Sequence, residues 1–180
     1  VKILLEPGIA GSIIGKGGSA ITDLTEISGA RIKVSNLNDC YPGTADQVLF
    51  ISGGEDEVDS AQELVWHRIA QHMVWKTCGS VGQNSFDPKA TLDSIRRGDI
   101  TRGHAVTGRI LIPSEACGAV IGTNGSTIRT MSEETGVRLQ LSPKDDPVSL
   151  ATHERIVTLV GEVEDCIQCT ANIIKKMQED

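Results

Sequence analysis

Ile13-Ile14-Gly15-Lys16-Gly17-Gly18-Ser19-Ala20-Ile21 is the stretch that decides the fold, and Val120-Ile121-Gly122-Thr123-Asn124-Gly125-Ser126-Thr127-Ile128 repeats it. In each copy an apolar pair runs into a four-residue loop bounded by glycines, and a helical pattern follows. Glycine permits positive φ angles and a close approach of another molecule to the backbone. The amides that open the next helix have no partner inside that helix, so they can face an anion. Each copy therefore predicts a loop that grips phosphate.

The composition is that of a globular protein that does not bind by bulk charge. The chain has 180 residues, of which 39% are hydrophobic and 23% charged, and no apolar run is long enough to span a membrane. The formal net charge of −7 argues against general coating of nucleic acid, so such a partner would need a shaped site with few phosphate contacts. Scattered cysteines favour a reducing, intracellular compartment. The apolar start at Val1 predicts a piece of a longer protein.

An internal repeat determines the number of domains. Lys2–Ser35 aligns with Arg109–Ser142 at an offset of 107 residues, with 12 of 34 positions identical. Gln47–Gly53 aligns with Arg155–Gly161 at an offset of 108. A period this long indicates two complete domains and not a solenoid. The predicted parts are a first domain at 1–74, a linker at 75–107 and a second domain at 108–180.

Both copies predict the same order of elements, β-α-α-β-β-α. In the first copy these are the strand Lys2–Glu6, the helices Gly8–Ile14 and Ser19–Ser28, the strands Ala30–Ser35 and Val48–Ser52, and a helix carrying Val58 to Met73. In the second they are Arg109–Pro113, Ser114–Ile121, Ser126–Thr135, Val137–Ser142, Ile156–Val160 and a helix carrying Cys166 to Met177. A polar loop separates the second and third strands. We predict an α+β fold in which each domain packs three helices against a three-stranded antiparallel sheet.

The linker is predicted to hold one short helix near 88–97, because Asp87-Pro88 resembles an N-cap followed by proline at the first helical position. Trp75, Phe86 and Leu92 are expected to pack this helix against a domain. A cationic cluster follows, and its simplest interpretation is a solvated surface, with an RNA contact as the alternative. It consists of Arg96, Arg97, Arg102 and His104.

Nucleotide-binding enzymes are disfavoured. A Walker A loop needs four residues between its first glycine and Gly-Lys-Ser/Thr, but Gly11 is one residue too close to Gly15 and position 17 is glycine. A dinucleotide fingerprint is nominally present at Gly15-x-Gly17-x-x-Ala20, yet it follows a predicted helix and not a strand, and the second copy has Asn124 for the middle glycine.

Catalytic and metal sites are not predicted either. Cys166-x-x-Cys169 has no second cysteine or histidine pair to complete a metal site, and both cysteines fall on the apolar stripe of the last helix. No Ser/His/Asp or paired-carboxylate arrangement stands out. We therefore predict a binding protein that is not an enzyme and that uses no metal or cofactor.

The paired loops resemble the KH family of single-stranded RNA-binding domains, whose signature is I-G-x-x-G-x-x-I between two helices. Ile14 to Ile21 and Ile121 to Ile128 both match it, and β-α-α-β-β-α is the order of the eukaryotic type of KH fold. Within the family the chain is most similar to the Nova and poly(C)-binding protein group, through Tyr41-Pro42-Gly43-Thr44, Gln140–Lys144 and Lys176–Asp180.

The resemblance implies an RNA groove in each domain, between the first two helices with their loop and the middle strand. In the first domain it implies contacts from Gly11, Ser12, Ile14, Gly15, Lys16, Gly17, Gly18, Ile21, Ile32, Lys33, Val34 and Gln47. In the second it implies contacts from Gly118, Ala119, Ile121, Gly122, Thr123, Asn124, Gly125, Ile128, Leu139, Leu141 and Arg155. The aliphatic floor suits a chain with only 3% aromatic residues. Lys33 alternates with Ile32 and Val34, so a purely solvent-facing role stays open.

The two grooves are expected to differ. Lys16 matches the basic residue frequent in family loops, whereas Thr123-Asn124 departs from it, which predicts weaker and less salt-sensitive binding by the second domain. Arg155 matches an arginine that reads a core cytosine in this group, and the first domain has Gln47 there. The arginine that poly(C) binders carry in the second helix is replaced by Thr25 and Ser132. A pyrimidine-C-A-pyrimidine core is therefore favoured over strict poly(C).

The predicted function is sequence-selective binding of single-stranded RNA through tetranucleotide motifs containing pyrimidines and CA. The resemblance implies a regulator of pre-mRNA splicing or of mRNA stability and translation, in the nucleus, the cytoplasm or both. Expected partners are RNA, other mRNA-processing proteins and a second KH domain, in the same chain or in a homodimer; no membrane partner is expected. Two alternatives stay open: a single-stranded DNA-binding transcription regulator, and a protein-interaction scaffold with a degenerate second KH domain.

Overall fold

The computed structural model describes residues 1–78, 86–98 and 105–179. The first copy of the repeat folds in the predicted order and the second in that order with one additional helix, and the α+β class is confirmed. The first unit consists of β1 (Lys2–Leu5), α1 (Pro7–Ile14), α2 (Ser19–Ser28), β2 (Arg31–Val34), β3 (Gln47–Ser52) and α3 (Glu55–Cys78). After α4 (Pro88–Arg97), the second consists of β4 (Ala105–Pro113), α5 (Cys117–Ile121), α6 (Ser126–Thr135), β5 (Arg138–Leu141), α7 (Pro147–Thr152), β6 (Glu154–Glu162) and α8 (Val163–Gln178).

Local sequence signals place several helix ends. α2 and α6 end at Gly29 and Gly136, whose φ angles of 74° and 73° form left-handed caps. In the linker, the Asp87 carboxylate accepts hydrogen bonds from the amides of Lys89 and Ala90, and α4 begins at Pro88. The predicted linker spans 75–107, but α3 extends to Cys78 and β4 begins at Ala105. Both ends of that segment therefore belong to a helix or a strand.

Within the linker, Phe86 is buried and Leu92 packs partly buried against the core. The side chain of Trp75, and residues Arg102 and His104, lie outside the described residues. Over the part of the chain that the structure describes, no helix has the length and apolar character needed to cross a bilayer.

The second unit contains one helix that the sequence analysis missed. α7 lies in the segment interpreted as a polar loop between the middle and last strands. Its start is an Asp-Pro pair, as in α4: Asp146 Oδ2 accepts hydrogen bonds from the amides of Val148 and Ser149, 3.1 Å each. The corresponding first-unit loop holds turns and no helix, so the two units differ here.

The strands of both units form one six-stranded sheet in the order β2-β3-β1-β4-β6-β5. The three-stranded antiparallel set predicted for each unit is present, and β1 also pairs antiparallel with β4, which joins the two sets. The strand pairs inside the two units have equivalent registers. Ile3 lies opposite Leu49 in the first unit, and their counterparts in the repeat, Ile110 and Val157, lie opposite each other in the second. The offsets between these counterparts are 107 and 108 residues. Each unit thus keeps its own three-stranded set within a shared sheet.

On the helical face, one hydrophobic core runs through both units. Trp66 of α3 is fully buried and lies under Gly108 of β4, so a helix of the first unit packs on a strand of the second. Gln62 of α3 donates a hydrogen bond to the carbonyl of Ile167 in α8 at 3.2 Å. The two units are therefore packed together by helices as well as by strands.

On the opposite face, the loops between middle and last strands meet across the sheet. Tyr41 is 5% exposed and covers Leu4 and Leu111, and its hydroxyl lies 3.1 Å from Thr152 Oγ1. Two ion pairs flank this cluster across the junction of β1 and β4. They join Lys2 to Glu154 and Arg109 to Asp46. The junction is thus closed on both faces of the sheet.

Candidate nucleic-acid interface

The loop between α1 and α2 has a backbone that only glycine can adopt at its first position. Gly15 has φ 74° and ψ 177°, a region essentially restricted to glycine, and a Cβ there would lie 2.7 Å from the Cβ of Ala20. Gly17 and Gly18 are left-handed as well, with φ angles of 60° and 79°. The Gly15 amide donates to Gly11 O at 3.0 Å and closes α1. Three residues, 16–18, then separate Gly15 from the start of α2 at Ser19, and the first two of them are exposed.

The loop between α5 and α6 reproduces this backbone with a different sequence. Gly122 has φ 74° and ψ 176°, and Gly125 has φ 76°. Between them Asn124 takes the left-handed conformation of Gly17, with φ 53° and ψ 28°. Asparagine tolerates that conformation better than most residues because its short side chain bonds locally. The second loop thus keeps the backbone shape of the first without its cation and without its middle glycine.

Beside each loop, the predicted groove positions leave aliphatic surface exposed. Gly11 and Gly118 are exposed, and a Cβ on either would meet no heavy atom within 4 Å. The aliphatic side chains around them are only partly covered by the core, apart from Ile32, which is 8% exposed. The partly covered positions are Ile14, Ile21 and Val34 in the first unit, and Ala119, Ile121, Ile128, Leu139 and Leu141 in the second. Such surface can hold a base flat without aromatic stacking.

The predicted cations differ in where they point. Lys16 is exposed and forms no salt bridge with any described residue. Lys33 is exposed too, but side chains alternate along β2, so it points to the face opposite Ile32 and Val34. In the second unit Thr123 and Asn124 are exposed and uncharged. Lys16 is therefore the cation that the first loop itself presents.

One predicted contact residue is turned inward. Ser12 is 8% exposed; its hydroxyl donates to Ile9 O at 2.7 Å and accepts a hydrogen bond from Arg68 Nε at 2.7 Å. Its side chain does not line the groove surface as expected. Its side chain points inward because residues three and four apart lie on the same face of a helix, and Ser12 lies on the inner face of α1 with Ile9.

Gln47 and Arg155 occupy equivalent places and brace equivalent carbonyls. Gln47 Nε2 donates to Ser35 O at 2.6 Å, while Arg155 donates to Ser142 O from Nε at 2.9 Å and from Nη2 at 2.5 Å. Gln47 is 2% exposed and its Oε1 has no hydrogen-bond partner among the described residues, whereas Arg155 is half-buried. Sequence reasoning missed the two serines, although they are identical in the repeat.

The cysteines of α8 belong to the core. Cys166 and Cys169 are both 0% exposed, and burial raises the pKa of Cys166 to about 12 and that of Cys169 to about 11. Thiols held neutral in this way are poor metal ligands and poor nucleophiles. Within the ranges that the structure describes, no group of three histidine, cysteine or acidic side chains is placed to hold a metal ion.

Comparison with known proteins agrees with this geometry. The family model described as "KH domain" matches residues 1–66 and 107–176. Human RNA-binding protein Nova-2 is 32% identical over the whole chain, which spans 34% of that protein. RNA-binding protein Pasilla from Drosophila melanogaster is also 32% identical over the whole chain, which spans 21% of it. Dim2p from Pyrococcus horikoshii OT3 covers the chain at 13% identity with a TM-score of 0.31, from which we infer nothing further.

Proposed function

This chain belongs to the KH domain family, and on that premise we propose that it binds single-stranded RNA sequence-selectively through both units. Each unit contacts about four nucleotides, with phosphates at the glycine loop and bases on the aliphatic floor. The protein acts as a binding module and not as an enzyme. Since it covers only 34% and 21% of the two relatives named above, what the whole protein does is part of the proposal.

The match between the two loop backbones carries the proposal. The φ angles of the paired positions are 74° and 74°, 60° and 53°, and 79° and 76°, although the residues between the outer glycines differ. A degenerate second domain that only packs would not need Asn124 in a left-handed conformation, which non-glycine residues adopt at some cost. The retained shape therefore favours binding by both units over a scaffold role.

The grooves divide phosphate contact and base reading unequally. Lys16 adds a cation to the first loop, so the first groove binds phosphate more strongly. In the second, the guanidinium of Arg155 donates to Ser142 O beside the end of β5, and we propose that this arginine reads a base. We propose a pyrimidine-C-A-pyrimidine core, for which 5′-UCAU-3′ is a suitable probe.

The proposed cellular role is regulation of pre-mRNA splicing or of mRNA stability and translation, in the nucleus, the cytoplasm or both. Two relatives that align with the whole chain are RNA-binding proteins by name, which supports the RNA part of this role. Other mRNA-processing proteins are the expected partners.

The decisive experiment is selection from random RNA with the full chain and with two variants that each disable one loop. Lys16→Asp with Gly17→Asp disables the first, and Thr123→Asp with Asn124→Asp the second. Each variant should enrich a short motif, and UCAU-like sequences should dominate. If none of the three proteins enriches a motif, the proposal is wrong. Parallel titrations with the deoxy form of the selected sequence test the DNA alternative, and equal affinity would favour it.

A loop exchange tests the unequal phosphate contact. Lys16→Thr with Gly17→Asn gives the first loop the sequence of the second, and its backbone already matches. We expect a modest loss of affinity and a slope of log K against log salt that is smaller by about 0.7, the contribution of one single-strand phosphate. The reverse exchange, Thr123→Lys with Asn124→Gly, should raise the slope by the same amount. Unchanged slopes in both variants would show that Lys16 contacts no phosphate.

A further inference from the structure

The outer face of the sheet, opposite to the core that the helices cover, holds an exposed aromatic ring. Phe50 of β3 is 40% exposed. Lys2 of β1 and Lys33 of β2 both lie directly opposite Phe50, one on each side. Residues directly opposite each other in an antiparallel pair share a face, with Cβ atoms about 4.5–5.5 Å apart. The three side chains therefore form one row across the first unit.

The outward-facing strand residues of the first unit are cationic in an acidic chain. Side chains alternate along a strand, so every second residue of β1, β2 and β3 points to the outer face. Three of these residues are basic and none is acidic. They are Lys2, Leu4, Arg31, Lys33, Val48, Phe50 and Ser52. Since the whole chain has a net charge of −7, this face is complementary to an anion in a way that the protein as a whole is not.

The equivalent face of the second unit lacks both features. At the repeat offset of 108, Thr158 stands where the first unit has Phe50. At the offset of 107, Gln140 stands in place of Lys33. The outward-facing residues of β4, β5 and β6 include two basic and two acidic ones, which are Arg109, Arg138, Glu154 and Glu162. The sheet therefore does not need an aromatic ring beside a free cation at this row.

Phe50 and Lys33 are available to a ligand. Lys2 directs its ammonium group to Glu154 of β6, which lies on the side of β1 away from Phe50. Lys33 is exposed and forms no salt bridge with any described residue. Single-stranded nucleic acid is bound by this combination, because a base stacks on the ring and the cation contacts the phosphate beside it.

This face adjoins the first candidate groove through β2. In the sheet that the structure describes, β2 is the outermost strand. Ile32 and Val34 point to the groove side of β2, and Lys33 between them points to the outer face. Phe50 lies on the next strand, about 4.8 Å farther in. An RNA that leaves the groove around the edge of β2 therefore meets Lys33 first and then Phe50.

We propose that the outer face around Phe50 and Lys33 is an additional RNA-contact surface, which takes nucleotides that flank the motif in the first groove. Phe50 stacks on a base, and Lys33 contacts the neighbouring phosphate. The surface adds affinity with little sequence preference, because every base has a stacking face. This rests on the proposed function, since it requires RNA in the first groove. The ligand class is a single strand longer than the four-nucleotide motif.

A protein is the other class of occupant for an exposed ring. A second copy of this chain fits less well than RNA, because an isologous contact would bring the cations of both copies together, and like charges that face each other weaken association. RNA also reaches this surface from a site that lies one strand away.

The test uses the full chain with Thr123→Asp and Asn124→Asp, which disable the second loop. Its ligands are UCAU alone and UCAU extended by about six adenosines on the 5′ side or on the 3′ side. Matching ligands carry abasic nucleotides in the extension, which keep the phosphates and remove the bases. Phe50→Thr introduces the residue of the second unit, and Phe50→Leu keeps an apolar side chain without a ring. Leu150→Thr, which removes an exposed leucine from α7, is the control.

On one of the two sides, the adenosine extension should raise affinity by about tenfold. Both Phe50→Thr and Phe50→Leu should remove most of that gain and leave the affinity for UCAU alone unchanged. Phe50→Trp should keep the gain, since tryptophan also offers a flat ring, and Leu150→Thr should keep it too. The abasic extension should keep only the part of the gain that comes from phosphate, and Lys33→Gln should lower the salt slope of that part by about 0.7.

Equal affinities of the parent and both Phe50 variants for every extended RNA overturn the proposal. An abasic extension that reproduces the whole gain overturns it as well, because the bases then contribute nothing. If Phe50→Thr changes the mass of the free protein in sedimentation and leaves every RNA affinity unchanged, the face belongs to a contact between copies. If the parent with the disabled second loop binds none of these RNAs, the proposed function fails first.

Discussion

Replacing Gly108 with alanine is expected to lower the free energy of unfolding by about 3 kcal/mol, although the change adds a single methyl group. A Cβ on Gly108 would lie 2.3 Å from Cη2 and 2.4 Å from Cζ3 of Trp66, which is fully buried. In a strand, alanine alone is otherwise neutral or slightly favourable compared with glycine. The loss would therefore come from the indole, which has no free space on the helical face. Denaturant unfolding followed by tryptophan fluorescence and circular dichroism measures it.

Two further variants isolate the cause. Gly108→Ala combined with Trp66→Phe removes the ring atoms that clash, so the double variant should be more stable than the sum of the two single losses predicts. Gly11→Ala, in α1, adds the same methyl where no heavy atom lies within 4 Å, and it should stabilise the chain by about 0.5–1 kcal/mol. A Gly108→Ala variant as stable as the parent would mean that Trp66 does not pack on β4.

The helices and strands of each unit could be predicted from the sequence because most of their start and end signals occur in both copies of the repeat. The predicted bounds of Ser19–Ser28 and Ser126–Thr135 are those of α2 and α6, since a glycine loop begins each helix and a left-handed glycine ends it. α7 was missed for a different reason. The Asp146-Pro147 pair that starts it is the same signal that predicts α4, but the polar, turn-rich residues around it indicate a loop.

The union of the two sheets could not be read in the same way. Hydrophobic alternation predicts that β1 and β4 are strands, but it does not predict that the two strands pair with each other. Pairing β1 with β4 depends on contacts far apart in the chain, such as Tyr41 with Thr152 and Trp66 with Gly108. The face of α1 that Ser12 shares with Ile9 is a local feature, but its hydrogen bond with Arg68 of α3 joins residues far apart in the chain and is not visible in the local pattern.

Replacing Lys16 and Gly17 with aspartate is expected to lower the affinity of the first groove for UCAU RNA by at least about a hundredfold. The change places two carboxylates where phosphate is proposed to lie and removes the cation that the loop presents. The backbone should survive, because Gly17 has open space around it and aspartate tolerates a left-handed conformation. Thr123→Asp with Asn124→Asp should do the same to the second groove, where the parent loop has no cation to lose.

A control variant with the same change in net charge as the first-loop variant separates the effect of charge at the loop from the effect of the protein's overall charge on RNA affinity. Lys175→Asp with Gln178→Asp also replaces one cation and one neutral residue, on the exposed end of α8 and outside both loops. At moderate salt, charges beyond about 10 Å are largely screened, so this variant should bind UCAU RNA within about threefold of the parent. Titration by fluorescence anisotropy on all three variants measures the difference. Equal losses from the loop and control variants would place the RNA away from the glycine loops, and the candidate grooves would then not be the binding sites.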